Sequence, residues 1–234
     1  MEIQLANEAY FIIQITTVLI TSVITRRLGS QAMVSWLCLQ SILANLLVLK
    51  MIYLFGLEVT GSDAFMIGSL YTLNLIREDH GATEAKKAVM TSLLLMASTA
   101  GIFSIHCAFQ SVASDQIAPV YHTLLSGVIP VMGWSGIIFL LAQVIDYSLF
   151  SMLKRIMPNH QLAWRLFLSI AITQVADTAL FTYWALDGWC SQFWDVFFWS
   201  YAIKVVITVV LSMGASIRKH NQQRVGDDNQ YVQI

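Results

Sequence analysis

Gln143-Val144-Ile145-Asp146-Tyr147-Ser148-Leu149-Phe150 is matched 31 positions later by Gln174-Val175-Ala176-Asp177-Thr178-Ala179-Leu180-Phe181. Five of the eight positions are identical, in the pattern Q-V-x-D-x-x-L-F. Both copies lie inside long apolar runs of the kind that cross a bilayer. A Gln and an Asp three residues apart share one helix face. An ionised carboxylate at the centre of a bilayer costs at least about 2.5–3.5 kcal/mol on insertion scales, so it normally faces a cavity or a partner. The repeat therefore presents amide and carboxylate groups from two helices toward one interior. The alternative is a chance likeness between two apolar helices, which usually exclude Gln and Asp.

Composition sets the class. Of 234 residues 57% are hydrophobic and only 12% charged, with a mean hydropathy of +0.66; soluble domains carry about 25% charged residues. This is an integral membrane protein with several spans. No alternating strand pattern is present and the apolar runs are too long for barrel strands, so the expected fold is an all-α polytopic helical bundle. Cys38, Cys107 and Cys190 make neither a disulfide framework nor a zinc spacing. The first residues include Glu2 and Glu8 and no basic stretch, unlike a cleaved leader.

Hydropathy gives seven segments, at roughly 8–25, 33–57, 62–77, 88–109, 124–152, 163–186 and 195–217. The third is short, bounded by Asp63 and Arg77, and reads either as a span or as a re-entrant segment. With seven crossings, eleven of the 13 Lys and Arg residues fall on one side: Arg26, Arg27, Arg77, Lys86, Lys87, Lys154, Arg155, Arg165, Arg218, Lys219 and Arg224. The positive-inside rule then puts the N-terminus outside and the C-terminus in the cytoplasm. The connections on the other face carry Glu58, Asp63, Asp115, Asp187 and Asp195 and no basic residue. Residues 1–219 read as one transmembrane domain and 220–234 as a polar, disordered cytoplasmic tail.

The two remaining cations, Lys50 and Lys204, lie inside apolar runs and are expected to balance Asp146 and Asp177. Such pairs either fix helix register or line a solute site. Asn45, Asn74, Gln143, Gln174, Thr178 and Tyr201 add neutral polar groups. Amides both donate and accept, so Gln with Asp can meet the edge of a planar, nitrogen-rich heterocycle. Tyr183, Trp184, Trp199 and Tyr201 can supply a stacking face, although aromatic residues near helix ends more often anchor to the membrane interface. Glu78, Asp79 and His80 before Gly81 form a polar cytoplasmic turn. No phosphate-binding loop, metalloprotease motif, nucleophile elbow or dinucleotide fingerprint is present, so no enzyme activity, cofactor, metal or nucleic-acid partner is expected.

These residues resemble the vitamin uptake transporter family of bacterial queuosine-precursor transporters. The likeness runs from Leu49-Lys50 through Leu54-Phe55-Gly56-Leu57 and Gly68-Ser69 to Asn74-x3-Glu78-x2-Gly81-x3-Ala85-x-Lys87-Ala88-Val89. It continues with Ala142-Gln143-x2-Asp146-x3-Phe150-x2-Leu153-Lys154, then Ser169-x4-Gln174-x2-Asp177-Thr178-x2-Phe181, then Tyr201-x2-Lys204-Val205. Together they cover about residues 42–210, in the family's order and spacing. The resemblance implies uptake of a 7-deazaguanine base (preQ0, preQ1 or queuine) across the inner membrane for tRNA modification. It carries polar roles onto Lys50, Glu78, Gln143, Asp146, Gln174, Asp177 and Lys204. Asn74 stands where the family usually has Asp, and Leu166-Phe167 replace a usual Asn-Asn, which bears on the identity of the base. A substrate-capturing subunit driven by a separate ATPase is the rival reading, but Thr17, Thr21 and Thr25 are a poor substitute for the alanine docking stripe of such subunits, so an ATPase partner is not expected. A non-transporting structural protein is the other rival; a homo-oligomer is compatible with the sequence.

Overall fold

The computed structural model of the chain describes residues 2–112, 114–157, 162–187 and 192–205. The side chains of Gln143, Asp146 and Lys154, the C-terminal part of the seventh segment and the tail 220–234 lie outside the described residues.

Helix α1 (Glu2–Leu28) ends at Gly29, whose φ of 105° is open to glycine and strained for any other residue. The chain turns there and α2 (Ser30–Leu47) runs back beside α1. The apolar segment expected at 33–57 is not one helix. It leaves α2 at Leu47 and forms a two-stranded antiparallel hairpin, β1 (Met51–Leu54) and β2 (Leu57–Thr60), with Leu54 opposite Leu57 and Met51 opposite Thr60. Phe55 (φ 52°) and Gly56 (φ 83°) make its two-residue turn, the primed type that matches strand twist. The expectation of helices throughout is corrected at this point. Leu54 and Val59 are fully buried and pack with Phe11, Ala64 and Ile67.

Helix α3 (Asp63–Cys107) is broken at Gly81 (φ 86°, ψ 172°) into two arms. Their neighbours on α2 give their directions. Gly68 and Thr72 meet Gln40, and Leu75 and Ile76 cluster with Met33 and Leu37, so the first arm is antiparallel to α2. Ala85 and Ala88 join that same cluster, while Met96 meets Asn45 and Phe103 packs near Leu46, so the second arm is parallel to α2. The arms therefore fold back on each other at Gly81. The first arm also runs the length of α1. Asp79, near its end, takes the Arg26 guanidinium at 2.6 Å through Nε, and its start adjoins the hairpin that Asn7 and Glu8 of α1 hold. The short third segment thus extends along the bundle from the hairpin to the Arg26 end of α1.

Helix α4 (Ala118–Ile156) descends from the hairpin end, α5 (Leu162–Leu180) returns beside it, and a π-helical turn (Phe181–Ala185) leads toward α6 (residues 193–205). Among the described residues four helices are long and apolar enough to cross a membrane: α1 over Ala6–Leu28, α2, α3 and α4 over Ala118–Ala142. With α3 counted as two arms, and with α5 and α6, the described residues form a multi-pass α-helical bundle. Arg26, Arg27, Arg77, Lys86, Lys87 and Arg155 gather at the Gly81 end, opposite the hairpin.

A buried polar knot ties α1, α2 and the first arm. Ser22 Oγ lies 2.9 Å from Thr72 Oγ1 and accepts from Trp36 Nε1 at 2.9 Å and from Gln40 Nε2 at 3.3 Å. Interhelical bonds of this kind hold helices together in lipid, where hydrophobicity itself does not.

Candidate functional site

Lys204 of α6 is 4% exposed, one of the few fully desolvated ammonium groups a protein tolerates. Its Nζ donates to Asp177 Oδ2 of α5 at 2.6 Å and to Thr178 Oγ1 at 3.0 Å. The expected pairing of Lys204 with a carboxylate in an apolar run is present. One turn before Asp177, the Gln174 Oε1 atom is buried and has no hydrogen-bond partner among the described residues. Gln143 and Gln174 stand about 18–20 Å from the turn that joins their antiparallel helices, at closely similar heights, counting the helical rise.

One turn along α6 from Lys204, Ser200 Oγ donates to Asp63 Oδ1 at 3.2 Å. Thr60 Oγ1, from the end of β2, donates to the same oxygen at 3.1 Å and lies 3.0 Å from Ser62 Oγ. Asp63 is 1% exposed, and its Oδ2 has no hydrogen-bond partner, nor has Trp199 Nε1 beside it. The sequence placed Asp63 in a connection on the hairpin face. It is instead a buried member of the polar cluster, brought there by the hairpin that hydropathy did not reveal. Glu58, assigned to the same connection, is also buried, and its backbone N–H donates to Asp195 Oδ2 at 3.3 Å.

Between these groups is a cavity of about 10 Å³, the space of roughly one water. Thr60, Thr178, Thr182, Ser200 and Lys204 give it a polar lining, and Phe181 of the π turn closes it. Single π turns occur frequently at functional sites, because they interrupt the regular helical ladder.

Other expected site residues lie elsewhere. Lys50 is exposed beside the hairpin, its backbone carbonyl taking the Gly61 N–H at 2.8 Å; it is not a buried counter-charge. Asn74 is exposed, with its amide on the Leu70 carbonyl at 2.8 Å. Asn45 is buried but turns to the Ser41 carbonyl and the Met96 sulfur. Tyr201 stacks on Phe197 at 6.2 Å, and Trp199 packs against Phe11 and Phe55. Tyr183 and Trp184 are exposed, with Trp184 stacked on Trp134. Glu78 is exposed and Gly81 makes the reversal, as the polar turn predicted. Among the described residues no three His, Cys, Asp or Glu side chains gather as a metal site.

A family model described as "Putative vitamin uptake transporter" matches residues 60–216. The chain is also 26% identical over 185 residues to a protein of Bacillus subtilis (strain 168) named "Probable queuosine precursor transporter", an alignment covering 78% of this chain and 81% of that protein. No solved structure matches the chain.

Proposed function

The chain belongs to the vitamin uptake transporter family and is a multi-pass membrane transporter of a small molecule; from that premise we propose that its solute is a queuosine-precursor base, preQ0, preQ1 or queuine, imported across the bacterial inner membrane. The observation that carries this reading is the buried Lys204–Asp177 pair with the unsatisfied Gln174 carbonyl oxygen one turn away. A 7-deazaguanine edge offers ring and exocyclic N–H donors beside a carbonyl acceptor. Asp177 and the Gln174 oxygen would take the donors, and the freed Lys204 ammonium would meet the acceptor. Gln143 and Asp146 of α4, at similar depth across the α4–α5 pair, would complete the set.

In the empty protein Lys204 neutralises Asp177, since an unpaired charge at that depth is expensive. A cavity of about 10 Å³ holds no bicyclic base, so this is the closed form and binding requires α5 and α6 to part. The basic Gly81 end faces the cytoplasm by the positive-inside rule, and the hairpin end faces outward. The bundle works without an ATPase subunit.

The test is the queuosine content of tRNA in a bacterium that neither makes nor imports the precursors, expressing this chain and supplied with each base in turn. Queuosine restored by the wild type and lost in Asp177→Asn is the expected result. Confirmed membrane expression with no queuosine from any base, downstream enzymes being active, would exclude this solute class.

A further inference from the structure

The polar cluster joins two carboxylates but, among the described residues, encloses one ammonium. Asp63, 1% exposed, accepts from the Thr60 and Ser200 hydroxyls, both on Oδ1, and has the Trp199 indole N–H beside it; these donors are neutral, and the short bond of Lys204 goes to Asp177. A carboxylate this deeply buried with only neutral donors around it is costly to keep ionised, and protonation removes that cost.

Other charged groups nearby do not supply the missing positive charge. On α1 the Glu8 carboxylate takes the Phe55 N–H; on β2 Glu58 is itself acidic; on α6 Asp195 takes the Glu58 N–H. Lys50, between α2 and β1, is exposed. Lys204 is the cation whose charge reaches Asp63. A sodium ion fits poorly: it would need several oxygen ligands and would sit against the Lys204 ammonium, whereas the cavity has room for about one water. A proton needs no such room.

We propose that Asp63 carries a proton in the empty transporter, and that Asp63 and Asp177 share Lys204 as alternating partners. With Asp63 neutral, Lys204 stays on Asp177 and the site is closed. When Asp63 gives up its proton, Lys204 shifts its ion pair toward Asp63, keeping an N–H for the solute's carbonyl, and Asp177 is released to the solute's donors. The empty site is neutral; with a neutral base bound it holds one net negative charge, on Asp177, which the solute's N–H groups solvate, and the released proton accounts for the difference. Solute binding is then linked to release of one proton, and by linkage affinity rises with pH through the titration of Asp63. The solute half rests on the proposed function; the proton on Asp63 does not.

The direct test needs no solute. Infrared spectra of the full chain in lipid, at neutral pH, are expected to show a protonated-carboxyl C=O stretch that disappears in Asp63→Asn. The band is expected to vanish also in Asp177→Asn, because the freed Lys204 then pairs with an ionised Asp63; this second variant keeps the test open if the first does not fold. Absence of the band in the wild type, or its survival in Asp63→Asn, would overturn the proposal, and so would solute uptake driven by a sodium gradient. In weak buffer, the neutral base preQ0 is expected to release a proton from wild type and none from Asp63→Asn. If preQ0 does not bind while the infrared result holds, the solute assignment is wrong and the Asp63 proton stands.

Discussion

Lys204 and Asp177, 27 residues apart on neighbouring helices, meet at 2.6 Å with the lysine side chain 5% and the aspartate side chain 23% exposed. Removing one partner of such a pair strands the other, at a typical cost of about 3–5 kcal/mol, whereas removing both is far milder. Lys204→Met and Asp177→Asn are each expected to lower the thermal stability of the purified protein. The double variant is expected to recover much of the loss while staying inactive in uptake. A double-mutant cycle on detergent-solubilised protein checks this; additive losses would show that the two side chains do not act as a pair.

Gly81 holds a backbone conformation, φ 86° with ψ 172°, that is essentially restricted to glycine. Gly81→Ala is expected to cost about 1–3 kcal/mol by backbone strain alone, since a Cβ there meets nothing within 4 Å. Gly101, helical and equally open, is the control: Gly101→Ala is expected to leave the melting temperature unchanged or slightly raised.

Gly68 tells the opposite story. A Cβ at this position would lie 2.1 Å from Val18 Cγ1 and 3.1 Å from Gln40 Nε2. Gly68→Ala is therefore expected to destabilise by about 1–3 kcal/mol through overpacking, and Val18→Ala in the same chain is expected to relieve most of it. Failure of that rescue in thermal unfolding would place the constraint on Gln40 and the Ser22–Thr72 knot instead.

Arg26 and Asp79 form a two-pronged bond at the basic end, but both side chains are about a quarter exposed. Arg26→Gln is expected to cost no more than about 1 kcal/mol, and raising the salt concentration to shrink that difference further. Chemical denaturation at low and high salt reads it directly.

Apolar periodicity and charge placement carried the helical bundle and the expectation that Lys204 meets a carboxylate inside it, because depth in a membrane is written in residue type. The hairpin was not legible in the same way. Met51-Ile52-Tyr53-Leu54 extends the apolar run of α2 without a break, and hydropathy cannot separate a buried strand from a buried helix. Its local signals were the Phe55-Gly56 turn and the Tyr and β-branched residues flanking it. Missing it misplaced Lys50 and Asp63 together. Asp63 followed Gly61-Ser62 and looked like a connection, while its partner Ser200 stands 137 residues further on. Asn74 was misread for a different reason: sequence gives the depth of a helical residue more readily than its azimuth in the bundle.

The two Q-V-x-D-x-x-L-F segments share their sequence up to Phe150 and Phe181, and Phe181 is where the π turn begins. Past that residue the helix of the second copy carries one residue of slack that the α-helix around Phe150 lacks. Taking up the slack, by tightening the π turn to α, turns everything on one side of it by about 100° and advances it by about 1.5 Å relative to the other. Such a click would swing Asp177 off Lys204 through a change in the backbone bonding of one turn. The π turn is in that sense a gear tooth, and it sits four residues from the charge pair that it would disengage.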